Sequence, residues 1–133
     1  MIRRIAREIV LQSLFQIDFS GCDAESALEA SLAEHEEKDA AKAKAYAEKT
    51  LQGVLENLAA IDEKIGEYAI DWTVERMSAT DRNILRVAVY EMMFAEEKIV
   101  PGIAINEAVE IAKRYGTEES PRFINGILGK MVR

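Results

Sequence analysis

The chain has 133 residues, 49% hydrophobic and 31% charged, with a formal net charge of −7. This length supports one buried core, and the balance excludes a disordered chain. No apolar run approaches a membrane span, and a lone cysteine, Cys22, excludes an internal disulfide.

Helical periodicity runs through the chain, and no strand alternation competes with it. The first expected helix covers residues 2–17. On a helical wheel, Ile2, Ile5, Ala6, Ile9, Val10, Ser13 and Ile17 share the expected core side. The other side carries Arg3, Arg7, Leu11 and Phe15 at i, i+4 spacing, flanked by Arg4 and Glu8, and is expected to face solvent. Ser20-Gly21 ends this helix. A second helix is expected over 24–33 with Asp23 as N-cap, followed by a charged loop over 34–39. A long helix over 40–59 carries Ala43, Tyr46, Ala47, Thr50, Leu51, Val54, Leu55 and Leu58, and a shorter one over 61–69 carries Ile61, Ile65 and Tyr68. Trp72 and Met77 fall in an irregular stretch expected to cover core.

The fifth helix, over 81–94 and capped by Thr80, has almost no polar face and should be the buried central helix. Pro101-Gly102 reads as a break before a sixth helix over 105–115, which closes on Lys113, Arg114 and Gly116. Ser120-Pro121 reads as N-cap and N1 of a last helix bearing Phe123, Ile124, Ile127, Leu128 and Met131. The expected architecture is all-α, about seven helices in one domain.

The acidity is local. Residues 1–22 hold three arginines against Glu8 and Asp18, residues 23–75 hold fourteen acids against five lysines, and residues 76–133 hold nine bases against eight acids. A basic face at either end therefore survives the negative total. The N-terminal segment does not read as a signal peptide, because Glu8, Gln12 and Gln16 interrupt it. A cytoplasmic location is expected.

The residues offer little catalytic chemistry. His35 and Cys22 are single, so no zinc site of nitrogen and sulfur ligands can be assembled, and the paired acids lack calcium-loop spacing. His35 lies in a charged loop with no nucleophile elbow and reads as a solvent-exposed residue. Phosphate-binding glycine motifs are absent. No metal, cofactor or enzymatic activity is expected. Arg3, Arg4 and Arg7 admit two readings, a solvated helix face or a phosphate grip, and Phe15 could stack a base or pack on a neighbour. Arg82 and Arg86 could pair with Asp81 or Glu91, or meet RNA or a partner. Asn106 and Asn125, near helix starts, read as capping or inter-helix groups.

Five blocks carry a resemblance. They are Arg4-Ile5-Ala6-Arg7-Glu8, Leu11-Gln12-Ser13-Leu14-Phe15-Gln16, Asp81-Arg82-Asn83-Ile84-Leu85-Arg86 with Tyr90-Glu91, the run INEAVEIAK from Ile105 to Lys113 with Gly116, and Phe123-Ile124-Asn125-Gly126-Ile127-Leu128. Colinear across the chain, they resemble the NusB family of bacterial transcription antitermination factors. The resemblance implies two small helical bundles packed together, here roughly 1–75 and 76–133. It implies binding of boxA RNA with a ribosomal small-subunit protein acting as NusE, in a complex that helps RNA polymerase pass terminators in ribosomal RNA operons.

It further implies RNA contacts at Arg3, Arg4 and Arg7, with Gln12 and Phe15 as candidates, and at Glu119, Arg122 and Phe123. The partner is expected around Glu75, Arg76, Asp81 and Arg82. Homodimers in such a family can cover the RNA face. Ile5 stands where relatives can be basic, so weaker RNA binding alone and more reliance on the partner are expected. Two alternatives stand beside this reading. One is a helical protein-interaction module. The other is the NusB-like module that precedes a ribosomal RNA methyltransferase domain, although no cofactor-binding βαβ region is present in these residues.

Overall fold

The computed structural model describes residues 2–70 and 72–132. These contain α1 (Ile2–Ser20), α2 (Ala24–Ala33), α3 (Glu37–Glu56), α4 (Leu58–Tyr68), a 3-10 turn (Val74–Arg76), α5 (Ala79–Val89), a π-helical turn (Tyr90–Phe94), α6 (Pro101–Tyr115) and α7 (Ser120–Met131), with no strand. The fold is all-α. No described helix is long and apolar enough to cross a membrane.

Helix boundaries follow local hydrogen bonding. Asp23 caps α2 by accepting from the Ser26 N–H at 2.8 Å, which lowers its carboxyl pKa. The cap of α5 is Ser78 rather than Thr80, because its hydroxyl accepts from the Asp81 N–H at 3.1 Å. Helix α3 starts at Glu37 and absorbs much of the expected charged loop, since Glu37 and Asp39 favour the positive end of the helix dipole. It ends at Glu56, where the Asn57 side chain donates to the Gly53 carbonyl at 2.8 Å and the chain re-enters helix as α4. Pro101 opens α6 instead of breaking the chain before Ile105: proline at the first turn lacks only an N–H that would go unused. Past Val89 the helix widens, and the Ala95 N–H reaches the Tyr90 carbonyl at 2.8 Å.

Helix α1 packs against α2, α3 and α5, while α6 and α7 pack on each other and on α5. Apolar residues of α1 (Ala6, Ile9, Val10, Leu11, Leu14), α3 (Ala43, Ala47, Leu51, Val54), α4 (Ile61, Ile65), α5 (Leu85, Ala88, Val89) and α7 (Ile124, Leu128) share one core. Helix α5 is buried from Asn83 to Val89, as its near-absence of a polar face requires. Met77 is buried as expected. Trp72 is not: it is half exposed, with the Arg76 guanidinium 5.7 Å over its ring and Phe123 meeting it edge-on at 6.2 Å.

Candidate nucleic-acid interface

Helix α1 is enclosed on more sides than its periodicity suggests, and this redistributes its arginines. Arg7 is buried, and so is Leu11, so the exposed ladder of Arg3, Arg7, Leu11 and Phe15 does not exist. Arg7 Nε donates to both oxygens of Glu91 at 2.9 and 3.0 Å, and its Nη1 reaches Glu107 at 3.4 Å. The Tyr46 hydroxyl also donates to Glu91. Burial and that bond push the Tyr46 phenol up to about 12. Burial alone would lower the Arg7 pKa, but its bond to Glu91 and the surrounding negative charge raise it on balance. A wheel sorts residues by polarity and so put Arg7 outside. Glu91 and Glu107 arrive from distant parts of the chain and make its burial affordable.

Arg4 forms a two-pronged bond to Glu107, through Nε at 2.9 Å and Nη2 at 2.5 Å, while its side chain stays about one-third exposed. That bond is the main reason the Glu107 carboxyl lies below its ordinary pKa. Arg3 remains exposed, with its guanidinium 4.7 Å over the Tyr46 ring. Glu8 is buried and receives Arg114 Nη1 at 3.2 Å. One turn on, Gln12 Oε1 lies 3.1 Å from His35 Nε2. His35 is therefore half-buried and bonded, not a free loop side chain.

Beyond Gln12 the helix opens. Phe15 is 45% exposed and stacks parallel on Phe19, which is 87% exposed. Leu11, Gln12, Phe15, Gln16, Glu34, Thr80 and Tyr115 line a groove of about 260 Å³. The groove thus gathers α1, the end of α2, the start of α5 and the end of α6. Exposed Arg114, folded over Tyr115 at 5.5 Å, stands on the same stretch of α6. The sequence reading missed Tyr115, Gln16, Thr80 and Arg114. Lys113-Arg114-Tyr115 was visible as a basic and aromatic run, but it also served as an ordinary helix terminus.

The other expected residues fall into two further places. Glu119 and Arg122 are exposed at the start of α7, and Arg122 forms no ion pair among the described residues. Phe123 joins Trp72 and Arg76 rather than α1, and Glu75 is exposed on the adjoining 3-10 turn. Asp81 and Arg82 follow Thr80 at the mouth of α5. Arg82 pairs with Asp18 at 3.3 Å, while Asp81 Oδ1 and Arg82 Nε are buried without a partner among the described residues. Arg86 pairs with neither Asp81 nor Glu91: it forms two 2.8 Å bonds to Asp62 and one of 2.9 Å to Asn83 Oδ1. Glu91 is already claimed by Arg7. Asn106 and Asn125 are exposed and make no side-chain hydrogen bond among the described residues, so neither is a cap.

Comparison with known proteins agrees with this architecture. A family model described as the NusB family matches residues 4–133. The chain is 48% identical over 132 residues to a transcription antitermination protein NusB of Pelotomaculum thermopropionicum, covering 99% of this chain and 90% of that one. It is 47% identical over 129 residues to the Bdellovibrio bacteriovorus protein of the same name, covering 97% and 93%. Among solved structures, a Thermotoga maritima NusB superposes with a TM-score of 0.81 at 42% identity, over 97% of this chain and 89% of that one. A crystal structure of the antitermination factors NusB and NusE in complex with dsRNA shares the fold, with a TM-score of 0.81 at 24% identity over 98% and 95% of the two chains. With the family model spanning all but the first three residues and near-half identity along the full length, the chain belongs to the NusB family.

Proposed function

We propose that this chain is a transcription antitermination factor that binds boxA RNA together with a ribosomal small-subunit protein of the NusE type, and so supports transcription of ribosomal RNA. The observation that carries this reading is the groove beside α1. It sets two aromatic rings, Phe15 and Tyr115, among the side-chain amides of Gln12 and Gln16, next to the exposed guanidinium of Arg114. Unpaired RNA bases are held by such rings and amides, and phosphates by such cations. The action is recognition rather than catalysis, in the cytoplasm where bacterial transcription takes place.

Arg3, Arg4, Arg114 and Arg122 are the cations assigned to phosphates, with Glu119 and Phe123 at the start of α7 flanking the path. Arg7 has a different part: buried against Glu91 and Glu107, it holds the fold together and is assigned no RNA contact. The partner is assigned to Glu75, Arg76, Asp81 and Arg82. Because Thr80 lines the groove, that surface adjoins the RNA-binding one, and the two proteins present a joint surface to RNA.

The test is a titration of fluorescent single-stranded boxA RNA with this chain, alone and with the NusE-type protein, at several salt concentrations. Binding should be weak alone, tighten with the partner, and fall with salt by a slope of about −0.7 per neutralised phosphate. Absence of binding under both conditions refutes the reading.

A further inference from the structure

His35 is the only histidine, and it sits in the turn between α2 and α3, well away from α1 in sequence. The fold brings its Nε2 to 3.1 Å from Oε1 of Gln12. An amide oxygen offers only lone pairs, so the imidazole must supply the proton from Nε2, as the neutral Nε2–H tautomer or as the imidazolium. Gln12 makes no other side-chain hydrogen bond among the described residues. Its two amide N–H groups are therefore unclaimed, and Gln12 lines the groove with Phe15, Gln16 and Tyr115.

This matters because a glutamine amide has nearly two-fold torsional freedom at its end. Left to itself, Gln12 would present a carbonyl or an N–H pair to the groove with little preference, and a ligand would have to fix the choice. The bond to His35 removes that symmetry before any ligand arrives. Preorganisation of this kind strengthens binding by lowering the ordering cost, and it selects what can bind.

We propose that His35 is a positioning residue for RNA recognition: it ties down the Gln12 oxygen so that the amide N–H groups face the groove and select an unpaired base that presents acceptor atoms. The proposal rests on the reading that this groove receives RNA. It assigns His35 no contact with RNA.

The test is a double-mutant cycle read by anisotropy with single-stranded boxA RNA and the NusE-type partner present. His35→Ala should weaken binding about three- to tenfold, the scale of one uncharged hydrogen bond. Gln12→Ala should weaken it at least as much, and the double variant should match Gln12→Ala alone, since His35 has nothing left to position. His35→Gln, which keeps an N–H donor, should recover most of the affinity. The salt slope should be the same in wild type and His35→Ala, because no phosphate contact is lost. Wild-type affinity in His35→Ala, additive losses in the double variant, failure of His35→Gln to recover binding, or a shallower salt slope in His35→Ala each overturns the proposal. A wild-type chain that fails to bind boxA RNA with the partner present refutes the functional reading instead, independently of His35.

Discussion

Arg7 on α1 and Glu91 on the π-helical turn after α5 form an ion pair closed off from solvent, with Arg7 Nε donating to both carboxylate oxygens at 2.9 and 3.0 Å. The Tyr46 hydroxyl completes the group from α3, so three elements meet on one carboxylate. Removing one partner of a buried pair strands the other charge, which costs about 3–5 kcal/mol. Arg7→Ala should therefore lower stability by that order in urea unfolding. Any loss of RNA binding in this variant should track its unfolded fraction. An unfolding midpoint equal to wild type would show that Arg7 is not held inside. Arg7→Lys should also destabilise, because an ammonium cannot match the paired geometry that a guanidinium makes with Glu91 and Glu107.

Arg122 gives the contrasting case. It is exposed and unpaired among the described residues, so Arg122→Ala should leave the unfolding midpoint within about 0.5 kcal/mol of wild type. If Arg122 grips a phosphate, the salt slope of RNA binding should become shallower by about 0.7. An identical slope removes Arg122 from the RNA path.

The Glu107 carboxyl is held below its ordinary value of 4.5, first by its hydrogen bonds to Arg4 and then by the charges of Arg4 and Arg7, against burial that raises it. As pH falls, the unfolded chain therefore takes up this proton before the folded one. The stability from the pair is present above the ordinary carboxylate range and is lost as pH drops below 4.5 through the folded value. Replacing the group with Glu107→Gln should flatten that part of the acid dependence. Urea unfolding at a series of pH values between about 5 and 3 measures it. A slope unchanged by the substitution would mean that Arg4 does not hold this carboxylate.

Two glycines should respond in opposite directions to alanine. A methyl group at Gly53 on α3 would overlap the buried Tyr90 ring packed against it, so Gly53→Ala should cost about 1–3 kcal/mol. Gly66, in the last turn of α4, faces open space, and Gly66→Ala should stabilise by less than about 1 kcal/mol through helix propensity alone. Thermal unfolding of the two variants reads both effects. A Gly53→Ala protein as stable as wild type would mean that the α3 and Tyr90 contact is looser than described.

The sequence alone determined the helices, because 3–4 spacing of Ala43, Ala47, Thr50, Leu51 and Val54, or of Ile84, Leu85 and Ala88, admits no other regular structure. It also determined that α5 lies inside, and the blocks at both ends carried the family. Local boundaries were less legible where two signals competed, as when Ser78 outbid Thr80 as a cap and Pro101 opened a helix it was expected to precede. Only the tertiary structure decided which side of α1 is outside. Polarity along one helix cannot reveal carboxylates that arrive from elsewhere, so Arg7 read as exposed until Glu91 and Glu107 closed over it. The same limit hid His35, whose bond to Gln12 spans 23 positions, and Tyr115, which lines one groove with Phe15 only because the fold brings the end of α6 beside α1. A periodic pattern records how a segment meets a core in general, whereas charge pairs and grooves depend on which distant side chains that core brings together.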